Sequence, residues 1–120
     1  MKTFRDLLVW QKSIELVVEI YKVTKRFPND ECYGLTSQMR RCAVSIPSNM
    51  AEGYGRNSPN DFARFLQIST GSLFELQTQI EISHKLNYVT SNDFDALYES
   101  TREIERMLSS FIRKVQEPQT

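Results

Sequence analysis

Apolar residues recur along this chain every three or four positions, the spacing of one helix face. No stretch alternates residue by residue as a half-buried strand would. The first such segment covers about residues 5–26. Leu7, Trp10, Ile14, Val17 and Tyr21 form one apolar stripe, and Val9, Leu16, Ile20 and Val23 form a second. At ~100° per residue the stripes sit roughly 115° apart, leaving Glu15, Glu19, Lys22 and Arg26 a polar arc. A helix apolar over more than half its circumference needs cover on two sides. Either it is the central helix of a bundle, or one face enters the core and the other meets a second subunit. Val9, Leu16, Ile20 and Val23 are the candidates for that subunit interface.

Phe27-Pro28-Asn29-Asp30 ends this helix, because proline disfavours helix in the residue before it. The second helix covers about 35–54, with Thr36 as a candidate cap. Leu35, Met39, Cys42, Ile46 and Met50 form its core stripe, and Ser37, Arg41, Ser45, Ser48, Glu52 and Arg56 a polar line opposite. Pro47 lacks an amide donor and presses on the Ala43 carbonyl, which predicts a kink near residues 43–46. Gly53 and Gly55 are read as the helix end, in the left-handed conformation that glycine adopts freely.

Ser58 as cap and Pro59 as first residue open a third helix, about 59–87. Phe62, Leu66, Leu73, Leu76 and Ile80 point inward. A second line runs from Phe65 and Ile68 through Ser72, Glu75 and Gln79 to Ile82 and Leu86, apolar at its ends and polar at its centre. Ser69-Thr70-Gly71-Ser72 is a poor helix former, and its small side chains let a neighbouring helix come close. Ser91 or Asn92 caps the fourth helix, about 91–115. There Phe94, Leu97, Ile104, Leu108, Phe111 and Val115 keep a heptad-like spacing with Thr101 in the seam. Four helices with short connections predict an all-α fold, an antiparallel up-down four-helix bundle, with residues 1–120 as one domain.

Composition narrows the function. Fifteen basic residues balance fifteen acidic ones, unlike the basic surplus of a generic nucleic-acid binder. The N-terminal apolar run, Leu7 to Trp10, is too short for an export signal, and nothing approaches the ~20 apolar residues of a membrane span. Cys32 and Cys42 make no disulfide framework. A reduced, cytoplasmic protein away from membranes is expected.

Candidate chemistry is sparse. The second and third helices join at a short turn, and Arg41 and Glu75 lie about equally far from it. Glu75 is therefore expected to face Arg40 or Arg41 and form a structural ion pair that fixes register. Glu52 is expected to pair with Arg56 or Arg64. Glu81-Ile82-Ser83-His84 matches half of the Glu-x-x-His pattern of di-iron bundles, but the chain has one histidine. Cys32, Cys42 and His84 lack zinc-ligand spacing. No catalytic residue, metal, cofactor or small-molecule substrate is expected. Segment 36–60 sets three arginines against Glu52, so Arg40, Arg41, Arg56, Lys25 and Arg26 are the candidate contacts for RNA or DNA. Tyr54 could stack on a base.

Four stretches carry a family resemblance: Leu8-Val9-Trp10-Gln11-Lys12; Tyr33-Gly34-Leu35-Thr36-Ser37-Gln38-Met39-Arg40-Arg41; Ser45-Ile46-Pro47-Ser48-Asn49-Met50-Ala51-Glu52-Gly53; and Gly71-Ser72-Leu73-Phe74-Glu75-Leu76-Gln77-Thr78-Gln79. With them the chain resembles, over roughly residues 4–115, the bacterial four-helix-bundle proteins called 23S ribosomal RNA intervening-sequence proteins. The resemblance implies a ring-like homo-oligomer, a pentamer, with no established biochemical activity. The accessory protein of diversity-generating retroelements is similar. That likeness implies nucleic-acid binding, although those relatives are strongly basic and this chain is neutral. The segment Ser83-His84-Lys85-Leu86-Asn87-Tyr88 departs from the family pattern, which has glycine before the tyrosine.

Overall fold

The computed structural model describes residues 2–118. Four helices follow one another: α1 (Leu8–Thr24), α2 (Leu35–Tyr54), α3 (Pro59–Lys85) and α4 (Ser91–Gln116). Among the described residues there is no strand, and each helix packs on its neighbours in sequence, with α4 returning to α1. The expected up-down bundle is the observed one. No backbone approach joins α1 to α3 or α2 to α4, so these pairs stand at diagonal corners of a shared core.

α1 begins later than its periodicity suggests. Phe4–Asp6 form a short 3-10 turn instead, held by a capping box between Thr3 and Asp6. The Asp6 carboxylate accepts the Lys2 and Thr3 amides, which hold its pKa below the usual carboxylate range. The start of α2 is also capped from outside. Gly34 occupies the cap position, and the Glu31 carboxylate accepts the Leu35 amide at 3.1 Å. Thr36, the expected cap, is buried. Ser58 caps α3 as expected, accepting from the Asp61 amide. Thr90 caps α4, one residue before the expected Ser91 or Asn92.

The core stripes of α2, α3 and α4 are buried through their middles, with Met39, Ile46, Leu66, Leu73, Leu76, Ile80, Ile104 and Leu108 almost wholly enclosed, and half-buried toward the helix ends at Leu35, Phe62, Phe94, Phe111 and Val115. Thr101 sits buried in the α4 seam and donates to the Tyr98 carbonyl. On α1 the subunit-interface expectation is corrected. Val9, Leu16, Ile20 and Val23 all lie in the protomer's own core, Ile20 with no exposed surface. The face left open holds Ile14, Val18 and Tyr21. Both stripes were apolar; what decides between them is which one the other three helices cover.

α2 runs unbroken through Pro47, which is itself buried. Close approach of α2 and α3 supplies the reason for the small residues on both. The Ser69 hydroxyl donates to the Ile46 carbonyl at 2.8 Å, just before the proline, and the Ser45 and Ser72 hydroxyls meet at 2.7 Å. Gly53 is helical, not left-handed. A Cβ there would lie 2.6 Å from Phe65 Cβ on α3. No described glycine has positive φ; the left-handed position belongs to Asn87 at φ 63°. It ends α3, where the Tyr88 amide reaches back to the Ser83 carbonyl at 2.9 Å. Asparagine tolerates this conformation better than other side chains do, so the departure from glycine changes only the helix end.

Candidate interaction surfaces

The expected structural ion pair does not form. Arg40 turns to α1, where its Nε donates to Thr24 Oγ1 at 2.8 Å and its Nη2 to the Tyr21 carbonyl at 3.3 Å. Its guanidinium also lies over the Tyr21 ring, 4.6 Å from the centroid. This places a cation at the C-terminal end of α1, the negative end of the helix dipole, on a carbonyl that also accepts the Lys25 amide. Arg41 and Glu75 do share one surface groove between α2 and α3, with Ser37, Gln38, Cys42 and the almost fully exposed Tyr33. Their common height was read correctly. Yet no ion pair joins them, and among the described residues neither pairs with any other charged group.

The other candidate nucleic-acid contacts are dispersed. Arg56 lies sixteen residues beyond Arg40, roughly 24 Å along α2. It stacks on the Phe65 ring and sits 3.6 Å from Glu52. Arg64 covers the same ring and pairs with Asp61, not Glu52. Arg26 binds Asp93 at 2.7 Å, tying α1 to α4. Lys25 is exposed. Of the five candidates, Arg40, Arg56 and Arg26 are engaged within the protomer, and Arg41 and Lys25 have no ion pair among the described residues. Tyr54 is half-buried and packs edge-on against Phe62.

Cys42 lies beside this α2–α3 groove, and its thiol donates to the Ser72 carbonyl at 3.0 Å. Burial, then the nearby Glu75 charge, pushes its pKa to about 12. Cys32 is exposed. In the native protein a disulfide reagent such as 5,5′-dithiobis(2-nitrobenzoate) is expected to modify Cys32 promptly, and Cys42 only on unfolding. A Cys32→Ser variant that still reacts at the rate of a free thiol would contradict this placement. His84 stacks on Phe94 at 4.3 Å. Among the described residues no three His, Cys, Asp or Glu converge to hold a metal ion.

At the same end of the bundle, Tyr88 donates its hydroxyl to Glu31 at 2.9 Å. That bond to a carboxylate favours the protonated phenol and raises its pKa above 10.0. The contribution to stability is therefore complete below the ordinary tyrosine pKa and is lost as pH rises through the raised one. Phenolate absorbance is expected to show one late-titrating tyrosine, which Glu31→Gln returns to the ordinary range.

A second surface uses the first apolar stripe of α1, not the stripe expected at an interface. Between α1 and α2 runs an open, apolar groove of about 350 Å³, lined by Phe4, Trp10, Ile14, Val17, Val44 and Pro47. Tyr21, exposed on α1 beneath the Arg40 guanidinium, extends it, whereas Val18, 47% exposed, borders the groove between α1 and α4. The stripe of Trp10, Ile14, Val17 and Tyr21 was the available sequence signal. No helix among the described residues is long and apolar enough to cross a membrane.

The fold and these surfaces have relatives. The family described as 23S rRNA-intervening sequence protein matches residues 5–110. A crystal structure of a protein of unknown function from the S23 ribosomal protein family of Bacteroides thetaiotaomicron superposes with a TM-score of 0.80. It is 26% identical, and the match covers 88% of this chain and 99% of that one. No curated protein matches the sequence.

Proposed function

The chain belongs to the 23S rRNA-intervening sequence protein family, and from that footing we propose that it works as a cytoplasmic homo-oligomeric scaffold. Five copies close into a ring and present surfaces to partners; the protein catalyses no reaction. The observation that carries this reading is the open α1–α2 groove, where Trp10, Ile14, Val17, Tyr21 and Val44 form one apolar strip. A continuous apolar surface of this kind marks an interaction site. Only association makes unfolding depend on protein concentration. The thermal midpoint is expected to rise as the protein is concentrated; a midpoint independent of concentration refutes the scaffold.

RNA or DNA binding is the second reading. Arg41 and Lys25 favour it, as exposed cations without an ion pair among the described residues. Retention on RNA that falls steeply with salt would support it. No retention at low salt removes it.

A further inference from the structure

We propose that the groove between α2 and α3 binds a free α-amino acid, with Arg41 taking its carboxylate and Glu75 its ammonium. The inference goes beyond the scaffold reading and does not depend on it.

This groove measures about 390 Å³ and is lined by Tyr33, Ser37, Gln38, Arg41, Cys42 and Glu75. Small-molecule sites span ~300–1,000 Å³, so it has the size for a compact ligand. Its floor is already satisfied. The Cys42 thiol donates to the Ser72 carbonyl at 3.0 Å, and the Ser45 and Ser72 hydroxyls meet at 2.7 Å. Its walls are not. Among the described residues the side chains of Ser37, Gln38, Arg41 and Glu75 make no hydrogen bond and no ion pair. By contrast Arg40, Asn49 and Gln77, on the same two helices, each engage a neighbour.

The two unpaired charges have opposite sign and line one groove. A direct exposed pair would gain little, because water screens it and two long side chains lose freedom. A ligand entering between them therefore breaks nothing. An anion alone suits Arg41 but is repelled by Glu75, and a cation alone meets the reverse. Only a molecule carrying both charges satisfies both walls, which is selectivity by repulsion as well as attraction. An α-amino acid holds a carboxylate and an ammonium on one carbon. The guanidinium fork matches the carboxylate. Ser37 and Gln38, one turn before Arg41 on α2, add neutral hydrogen-bonding groups. Tyr33, 96% exposed, has its ring free to cover the ligand's side chain. Burial keeps Cys42 a neutral thiol, and a neutral thiol is no nucleophile, so the ligand is bound unchanged.

Calorimetric titration of the intact protein with each standard L-amino acid at millimolar concentration tests this. Each amino acid that binds is compared with its amine lacking the carboxylate and its acid lacking the amine; for L-phenylalanine these are phenethylamine and hydrocinnamate. At least one amino acid is expected to bind at one site per chain. Each single-charge analogue should bind about tenfold more weakly or worse, the loss of one charge-assisted hydrogen bond. Arg41→Gln and Glu75→Gln should each weaken the amino acid by the same factor. Both positions are exposed, and circular dichroism verifies the fold. Glu75→Gln also separates this site from a phosphate contact by Arg41, because removing that carboxylate strengthens a polyanion and weakens an amino acid. No binding by any amino acid overturns the proposal, including where a neighbouring copy closes the groove. So does an amino acid whose single-charge analogue binds equally well.

Discussion

Gly53→Ala is expected to lower the thermal midpoint of unfolding, and Gly71→Ala to raise it. Both glycines lie inside helices, where alanine is intrinsically better by about 1 kcal/mol. At Gly71 a Cβ meets nothing within 4 Å, so the helical gain stands alone. At Gly53 a Cβ would lie 2.6 Å from Phe65 Cβ and 3.3 Å from the Phe62 carbonyl oxygen. Neither is the movable end of a long side chain. α2 and α3 would have to separate, and they are held by the Ser69–Ile46 and Ser45–Ser72 hydrogen bonds. Overpacking of this kind costs about 1–3 kcal/mol, enough to outweigh the helical gain. For a chain this size, 1 kcal/mol is roughly 4 °C. A scanning calorimeter reads both signs. A Gly53→Ala protein as stable as wild type would mean that α2 and α3 are not in contact there.

Ile20→Ala is expected to destabilise the protomer by about 2–5 kcal/mol, the cost of emptying a fully buried aliphatic site. Val18→Ala, two residues away, should change protomer stability by no more than about 0.5 kcal/mol. The difference follows from burial alone. Ile20 has no exposed surface, and Val18 is 47% exposed. Denaturant titration at low protein concentration isolates the protomer from any assembly. Equal effects in dilute solution would return Ile20 to a surface and reverse the assignment of the two α1 faces.

The architecture was legible because helical periodicity and turn chemistry agree on where the four helices lie, even where the caps themselves differ. Ser58 with Pro59, and Phe27 with Pro28, mark ends that tertiary contacts did not move far. What sequence could not decide was orientation among equivalent choices. α1 has apolar residues in three directions, and nothing local says which two face neighbours. Arg40 and Arg41 are adjacent on α2, so the heights of both were right. Their directions differ by ~100°, which sends Arg40 to the end of α1 and Arg41 to the groove with Glu75. A glycine near a helix end has two uses, left-handed geometry or close packing. Only the position of Phe65 shows that Gly53 serves the second. Glu31 as a cap for α2 was hidden because its carboxylate reaches the Leu35 amide across the intervening loop. Signals of that kind lie in three-dimensional neighbours, not in spacing.

The scaffold reading depends on association, and the native mass of the purified wild-type protein measures it directly. Analytical ultracentrifugation at micromolar concentration should find a discrete multiple of the 14.0 kDa chain, five copies for the proposed ring. A single species at 14.0 kDa across the concentration range would contradict it and leave the apolar α1–α2 face without an occupant.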